Sequence, residues 1–494
     1  MWAHVVKYGI VVVTAVFYIS AAMHFDYTPD ASYVSCRVAT HVASGDGFVF
    51  NPNQPSAGTG GPVWTLIVAA GVWIGLDAPV VAKTFDLVFS CLALFGVYFL
   101  ASVILRDKIA AFFAVLLFSV DAWVLRTSAS GLGFSLPLVL VAVTLFYGFR
   151  RQYALASFVN GFVVLSAPLE GIALFGIMML DAFAFWRGRK GLPARLIRSL
   201  AGISATVIPW IAYATLRAVP LGTETDIVTF TTTPVSGPSA GSELIWYMAT
   251  GGVLLGVLLF GHCLAAVRSD WRLMAPSSFP LLWAVAALGL TLALSPEAMA
   301  RTWVLVAPVI VIYGLLGLYY LSVFVIGPGP RSTVALLAVV AVSIAANQAV
   351  YHLKVVPEMN RTVVEMQEQV RPMAHWIRSR IASDETLVVP FVGMIGWVSG
   401  VRVVGDPRLW MADQESRAET PDEIAERWGQ SLASGLAAAV VDRSASQTRL
   451  AASSLAPIRA WGGPGGMLYT VYADSARRAL LVAPGTGHGS ELRR

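Results

Sequence analysis

Long apolar runs, separated by short polar or charged segments, follow one another along the first 350 residues of the chain. A helix needs about 20 apolar residues to cross the hydrocarbon core of a bilayer, and most of these runs approach that length. The pattern therefore predicts a polytopic α-helical membrane protein. The runs lie near residues 5–23, 62–76, 84–105, 109–125, 132–148, 154–169, 171–186, 199–217, 244–267, 279–295, 303–326 and 333–350.

The run at 62–76, "PVWTLIVAAGVWIGL", differs from the others because it is too short to cross the bilayer comfortably. It also carries Trp64 and Trp73, a residue type that favours the membrane interface. We interpret it as a juxtamembrane or re-entrant helix on the outer side, within a first external loop that covers residues 24–83. About eleven membrane crossings then remain.

Basic residues predict the orientation, because cytoplasmic loops of membrane proteins are enriched in lysine and arginine. Placing the most basic loop in the cytoplasm and counting crossings backwards puts the N-terminus in the cytoplasm and the 24–83 loop outside. Counting forwards puts everything after residue 350 outside. The basic residues of that loop are Arg187, Arg189, Lys190, Arg195 and Arg198.

The sequence changes character after residue 350. An amphipathic segment over 361–381 precedes the short apolar strands "TLVVP", "VRVVG", "AAAVVD" and "MLYTVYA" and a helix "PDEIAERWGQSLA". Strands that alternate with helices predict a small α/β domain. We therefore predict a transmembrane domain over 1–350, an extracytoplasmic α/β domain over 351–480 and a disordered tail over 481–494.

Composition agrees with a membrane protein and excludes other classes. Hydrophobic residues make up 56% of the 494 residues and charged residues only 13%, with a mean hydropathy of +0.69, whereas soluble domains carry about 25% charged residues. The net charge of +5 does not indicate nucleic-acid binding, because the basic residues lie in short loops between apolar runs. Cys36, Cys91 and Cys263 are too few and too scattered for a disulfide framework or a metal site.

The polar stretch after the first apolar run carries candidate chemistry. Asp30 begins a segment in which Tyr33, Arg37 and His41 recur at helical spacing, which predicts a helix along the membrane surface. A carboxylate at the start of a helix can cap it. A carboxylate partly removed from water can instead take a proton from an incoming hydroxyl. The residues alone leave both roles open, with Asp26 as a second candidate.

The segment "DASYVSCRVATHVASGDGFVFNP", followed by "GPVWTL", resembles the first external loop of GT-C glycosyltransferases. This fold includes protein mannosyltransferases, lipid A aminoarabinose transferases and mycobacterial arabinofuranosyltransferases. The resemblance covers about forty residues. Its matching positions are Asp30, Tyr33, Ser35, Arg37, Gly45, Gly47, Val49, Phe50, Asn51, Pro52, Pro62, Trp64 and Thr65.

The resemblance implies an enzyme of the bacterial inner membrane that transfers a sugar from a polyprenyl-phosphate donor to an extracytoplasmic glycan, lipid or protein acceptor. Asp30 would be the general base. Arg301, or less favourably Arg126, would bind the donor phosphate, although an arginine there can equally anchor a helix end at the headgroups. No cofactor is expected, and one strong carboxylate candidate in the loop predicts no metal. The remaining cavity or acceptor-path candidates are Asp26, Tyr33, Arg37, His41 and Glu170.

The chain also departs from the family pattern. Ala31 replaces the second acid of a D-D pair, and Gly133 replaces the acid of "S-G-L-E-T". Ala167 replaces the arginine of "R-P-E-G", whereas Glu170 and Gly171 are kept. These departures leave a catalytically inactive relative that scaffolds envelope assembly as one alternative. A transporter of a lipid-linked substrate is the other, although the apolar runs contain few of the midplane charges and none of the repeats that it predicts.

Overall fold

A computed structural model describes most of the chain. The residues described are 2–52, 54–184, 192–219, 246, 248–252, 278–294, 299–327, 329–381, 385–389, 391–405, 439–444, 455–462 and 468–474. They divide into two compact units. The helical unit comprises Met1–Tyr27, Gly60–Thr223 and Pro238–Met359, and the mixed unit comprises Thr28–Thr59, Glu224–Gly237 and Asn360–Arg494.

The described residues are mainly helical. Three π-helical turns, at Met248–Gly252, Tyr351–Val355 and Glu365–Val370, accompany the α-helices. The α-helices, in chain order, are α1 (Trp2–Ala22), α2 (Asp30–Ser44), α3 (Gly61–Trp73), α4 (Ala78–Leu105), α5 (Lys108–Ser119), α6 (Ala122–Thr127), α7 (Ser135–Phe149), α8 (Tyr153–Ser166), α9 (Pro168–Ala184), α10 (Leu192–Arg217), α11 (Phe279–Leu294), α12 (Met299–Ile326), α13 (Pro330–Val350), α14 (Val356–Val364), α15 (Arg371–Arg380) and α16 (Val392–Ser399).

Among the described residues, four helical stretches are long and apolar enough to cross a membrane: Ala78–Leu105, Ala194–Arg217, Met299–Ile326 and Arg331–Arg380. Shorter apolar helices accompany them, so the predicted polytopic helical class is confirmed. The number of crossings stays a prediction. The short helix expected near 62–76 is present as α3, whose 13 residues extend about 20 Å, less than a bilayer core.

Several helix boundaries differ from those read from the apolar runs. The run 109–125 is divided between α5 and α6, because Asp121 caps α6 by accepting the N–H groups of Trp123 and Val124, each at 3.0 Å. The basic segment interpreted as a loop is already helical from Leu192 in α10. Its residues 187–190 lie outside the described part of the chain.

The helical stretch after residue 330 does not end near 350 as the sequence suggested. It passes from α13 through a π-helical turn into α14, so the amphipathic segment over 361–381 continues an existing helix. The domain boundary placed at 350 stays a prediction, as do the other domain limits. The contact-based division of the chain falls between Met359 and Asn360.

The mixed unit contains two sheets. A short hairpin pairs β1 (Val49–Asn51) with β2 (Gln54–Pro55). A five-stranded sheet has the order β4-β3-β5-β7-β6. Its parallel pairs are β3–β4 and β3–β5, and its antiparallel pairs are β5–β7 and β6–β7. These strands are β3 (Thr386–Val389), β4 (Arg402–Gly405), β5 (Ala439–Ser444), β6 (Leu455–Gly462) and β7 (Leu468–Asp474).

Four of these strands match segments proposed from the sequence, whereas β6 was not anticipated. The segment of β6, "LAPIRAWG", carries a proline and does not alternate clearly between apolar and polar residues, so it gave no strand signal. The predicted helix "PDEIAERWGQSLA" and the predicted tail 481–494 lie outside the described residues.

Candidate active site

Asp30 is the first residue of α2, after Pro29 at the N-cap position. Its carboxylate does not cap α2, so the capping role considered from the sequence is wrong for that helix. Instead it accepts two hydrogen bonds at the start of α16. Oδ2 accepts the Gly393 N–H at 2.9 Å, and Oδ1 accepts the Met394 N–H at 2.7 Å. Both carboxylate oxygens are therefore held by backbone amides whose helical partners are missing at an N-terminus.

Gly393 permits this contact. A Cβ atom at this position would overlap the backbone carbonyl of Asp30 and crowd its carboxyl carbon. Only a glycine allows the first turn of α16 to approach α2 so closely. The side chain of Asp30 is consequently buried, with the residue 3% exposed.

Burial sets the protonation of Asp30. Removal from water raises its pKa from 3.8 to about 7, against the opposing effect of the Met394 and Gly393 amides, and Glu365 adds a further raising influence. A carboxyl with a pKa near neutrality exchanges protons readily under physiological conditions.

Other residues of the loop motif also bind the segment that includes α16 and β4. Arg37 donates from Nη2 to the Val401 carbonyl at 2.9 Å, and its guanidinium carbon lies 4.9 Å from the centre of the Phe50 ring. Burial lowers the pKa of Arg37 to about 10. The side-chain amide of Asn51 bonds both backbone groups of Val403, as a neighbouring strand would. Its Nδ2 donates to the Val403 carbonyl at 2.7 Å, and its Oδ1 accepts the Val403 N–H at 3.2 Å.

Every residue from Asp30 to Ala39 is buried within the protein, so the start of α2 packs against protein on all sides. That α2 lies along the membrane surface stays a prediction. Tyr33 is buried too, which raises its pKa to about 12. His41 lies near the far end, where its Nδ1 is 3.2 Å from Asp46 Oδ2. Asp26 is exposed, in the turn after α1.

Glu170 and Arg301, two residues singled out separately from the sequence, form an ion pair in the helical unit. Arg301 donates from Nε to Oε1 and from Nη2 to Oε2 of Glu170, both at 3.3 Å. Glu170 is 0% exposed. Arg301 lies in the first turn of α12, which begins at Met299 rather than near 303 as predicted from the sequence.

Arg126 also has an acidic partner. Its Nη1 lies 3.6 Å from Glu358 Oε2, and Lys354 binds the other oxygen of the same carboxylate. Arg126 and Lys354 therefore share the single negative charge of Glu358. Arg301 instead pairs with the carboxylate of Glu170. Among the described residues, no three His, Cys, Asp or Glu side chains are grouped as metal ligands would be.

Gly133, which occupies the position of the family acid, is packed against the indole of Trp64. Gly133 has a φ of +80°, and a Cβ atom there would overlap the Trp64 ring. Gly60 is equally close to the same ring. The aromatic side chain of the "GPVWTL" segment thus fills the space that a side chain at position 133 would need.

We predict that Gly133→Ala destabilises the protein by about 2–4 kcal/mol. Alanine is strained in the left-handed backbone conformation of this residue, and its Cβ atom would also overlap the Trp64 ring. Gly75→Ala is the matched control, since Gly75 has a φ of +90° and no atom within 4 Å of an added Cβ. It should cost only about 1–2 kcal/mol. Thermal unfolding in detergent measures both, and equal losses would contradict the packing explanation.

Sequence reasoning missed Asp86 and Lys83. Asp86, fully buried in α4, accepts N–H groups from Gly131 at 3.0 Å, Gly133 at 3.4 Å and Ser135 at 3.3 Å, and it also accepts the hydroxyls of Ser130 and Ser135. It thereby fixes the turn before α7. The available signal was an acid inside an apolar run, which is costly unless it has partners.

Lys83, one turn earlier in α4, donates from Nζ to the Phe25 carbonyl at 2.6 Å. The same ammonium lies 4.6 Å from the centre of the Phe25 ring. This contact joins the start of α4 to the segment that follows α1. Its signal was likewise a charged residue at the edge of an apolar run.

The chain has the GT-C fold of polytopic membrane glycosyltransferases, which confirms the resemblance read from the loop motif. It is similar to ArnT, an aminoarabinose transferase, from Cupriavidus metallidurans. The crystal structure of ArnT bound to undecaprenyl phosphate matches with a TM-score of 0.56 and 14% identity, over 96% of this chain and 99% of that chain. The apo structure matches over the same shares with a TM-score of 0.58 and 14% identity.

A third similar structure is the arabinofuranosyltransferase AftD from Mycobacteria, with a TM-score of 0.51 and 14% identity. The match covers 94% of this chain but only 41% of AftD. No family model matches the sequence, and neither does any curated protein. At this level of identity the likeness establishes the fold.

Proposed function

We propose that this protein is an integral-membrane glycosyltransferase of the bacterial inner membrane. It transfers a sugar from a polyprenyl-phosphate donor to a hydroxyl of an extracytoplasmic glycan, lipid or protein. The fold supports this proposal, since ArnT shares it over nearly the whole chain and has been solved with undecaprenyl phosphate. The N-terminus is cytoplasmic and the mixed unit extracytoplasmic in this proposal.

The observation that carries the proposal is the environment of Asp30. Two backbone amides orient its carboxylate, and burial raises its pKa to about 7. Each oxygen has more than one lone pair, so an acceptor hydroxyl can bind while the amides stay in place. As the hydroxyl oxygen attacks the anomeric carbon of the donor, Asp30 takes its proton.

The 3% exposure of Asp30 adds a requirement to this mechanism. An acceptor reaches the carboxylate only when the residues that cover it move aside. Both α2 and α16 contribute to this cover, so acceptor binding must include a local opening within the mixed unit.

Arg301 is the proposed partner of the donor phosphate. The bond between the anomeric carbon and the phosphate oxygen breaks during transfer, which leaves negative charge on the lipid phosphate. A guanidinium stabilises such charge with directed N–H donors. Arg126 is the second candidate, and its partner Glu358 also binds Lys354.

Sugar transfer by the purified protein in nanodiscs tests the proposal. A panel of polyprenyl-phosphate sugars should reveal one donor that releases polyprenyl phosphate as the acceptor gains sugar. Absence of turnover across the panel would contradict the enzyme proposal. Movement of an intact donor between leaflets would instead support a transporter.

A second candidate function is a non-catalytic scaffold for envelope assembly. The observation in its favour is that both oxygens of Asp30 are engaged with backbone amides in a buried contact. Donor binding without any turnover, in a preparation whose thermal unfolding is cooperative, would favour the scaffold over the enzyme.

The pKa of Asp30 predicts a specific pH dependence. A base must be deprotonated, so kcat/KM should fall about tenfold per pH unit below about pH 7 and level off above it. Folding stability should change in the opposite sense. The folded state holds the Asp30 proton more tightly than the unfolded chain, so stability falls as the pH rises from about 4 to about 7. An acid limb near pH 4, typical of an exposed carboxylate, would contradict the assignment.

A further inference from the structure

We infer that Glu170 is a positioning residue, which orients the Arg301 guanidinium toward the phosphate of the lipid donor. The inference rests on the proposed function, in which Arg301 binds that phosphate. It changes the role expected for Glu170 from the sequence, where the residue was a candidate for lining the cavity. A residue that is 0% exposed lines no accessible surface.

The ion pair leaves part of the guanidinium available. Glu170 occupies the Nε–H and one N–H of Nη2, which are two of the five N–H donors of an arginine. Two donors on Nη1 and one on Nη2 remain, and no described residue accepts a hydrogen bond from Nη1. The Arg301 side chain is 13% exposed. One edge of the guanidinium is therefore fixed by the acid while another edge can meet an anion in the bidentate manner typical of phosphate recognition.

The carboxylate of Glu170 is itself held in place. Thr302 donates its hydroxyl to Oε1 at 2.6 Å, and its oxygen lies 2.9 Å from that of Thr291. Thr302 directly follows Arg301 in α12, so one helical turn supplies both the cation and a hydroxyl that fixes its counter-ion. The side chain of Glu170 consequently has little freedom to turn away from Arg301.

The backbone beneath Glu170 is fixed as well. Trp283 donates from its indole Nε1 to the Glu170 carbonyl at 3.0 Å, and Asn160 donates to the Gly171 carbonyl at 2.9 Å. A Cβ atom at Gly171 would overlap the backbone of Val164, so the start of α9 lies tightly against α8. These contacts hold the Glu170 backbone in position from two neighbouring helices.

Orientation is the contribution that such a pair makes to phosphate binding. A free arginine side chain loses rotamer freedom when it binds a ligand, whereas a guanidinium already fixed along one edge loses less. In enzymes, misplacing a group by about 1 Å can cost about 100-fold in reaction rate, and we take a similar sensitivity for phosphate binding. Removing the Glu170 charge should therefore weaken phosphate binding even though Glu170 does not touch the phosphate.

The test is binding of undecaprenyl phosphate to the full-length protein in nanodiscs, compared with undecaprenol, which lacks the phosphate. Wild type should bind the phosphate form more tightly. Glu170→Gln should reduce that preference about 10- to 100-fold, and Arg301→Met should abolish it. The double variant should bind like Arg301→Met alone, because Glu170 acts through Arg301.

If Glu170→Gln fails to fold, Thr302→Val is a second variant, and it keeps the ion pair between Glu170 and Arg301. It removes only the hydroxyl that fixes the carboxylate and should weaken phosphate binding several-fold while thermal unfolding stays near that of wild type. Thr206→Val is the matched control. The Thr206 hydroxyl donates to the Ile203 carbonyl of its own helix at 2.8 Å, and the variant should leave the phosphate preference unchanged.

The outcomes separate this inference from the proposed function. A wild-type preference for the phosphate form that Glu170→Gln leaves intact would overturn the inference alone. Losses from Glu170→Gln and Arg301→Met that add in the double variant would also overturn it, because Glu170 would then act independently. A wild type that neither prefers the phosphate form nor transfers sugar would overturn the proposed function and the inference together.

Discussion

Replacing Asp30 with asparagine is expected to lower the rate of sugar transfer by about 10²- to 10⁴-fold, the usual contribution of a general base. The amide cannot take the proton of the acceptor hydroxyl. It also has only one acceptor oxygen for the two N–H groups of Gly393 and Met394. Initial rates at saturating donor and acceptor, for protein that unfolds cooperatively, measure the loss.

Asp77→Asn is the matched control for that experiment. This variant makes the same aspartate-to-asparagine change at an exposed position. The Asp77 side chain forms no capping hydrogen bond with the helix that follows it. Transfer by this variant should stay near the wild-type rate. Undiminished transfer by Asp30→Asn would reject Asp30 as the base and leave it as an anchor of α16.

Replacing Asp86 with alanine is expected to reduce the free energy of unfolding by about 3–5 kcal/mol. Three backbone N–H groups and two serine hydroxyls in the turn before α7 would lose their buried acceptor. Each unsatisfied buried donor costs about 1–3 kcal/mol, partly relieved by rearrangement. Thermal or denaturant unfolding in detergent measures the effect.

Asp107→Ala separates this loss from the general effect of removing an aspartate. Asp107 caps α5 through one hydrogen bond, from the Ile109 N–H at 2.8 Å, so its removal should cost only about 1 kcal/mol. Similar losses for the two variants would show that the Asp86 hydrogen bonds contribute little beyond an ordinary cap.

The candidate site was partly visible in the sequence. The loop motif identified Asp30, and the resemblance to GT-C glycosyltransferases identified Glu170 and Arg301 separately. Their spacing gave no sign that Glu170 and Arg301 pair, because 131 positions separate them. Asp86 lies in an apolar run but at no position of the GT-C resemblance, so only its cost in an apolar environment marked it.

The sequence by itself determined that the chain is a polytopic helical protein with the GT-C fold. Apolar runs of near-membrane length and a forty-residue motif are local patterns. Such patterns can be recognised in the sequence without knowing which residues contact each other in the fold. It also singled out Asp30, Glu170 and Arg301 as candidate functional residues, although it missed Asp86 and Lys83.

Only the tertiary structure decided what those partners are. The amides that hold Asp30 belong to residues more than 360 positions later, and Trp64 fills the place of a side chain at Gly133. Such contacts depend on how distant helices pack, and side-chain identity along the chain does not encode them locally. The tertiary structure thereby shows that Asp30, which the sequence left open as a cap of α2, is a buried carboxylate bound by the start of α16.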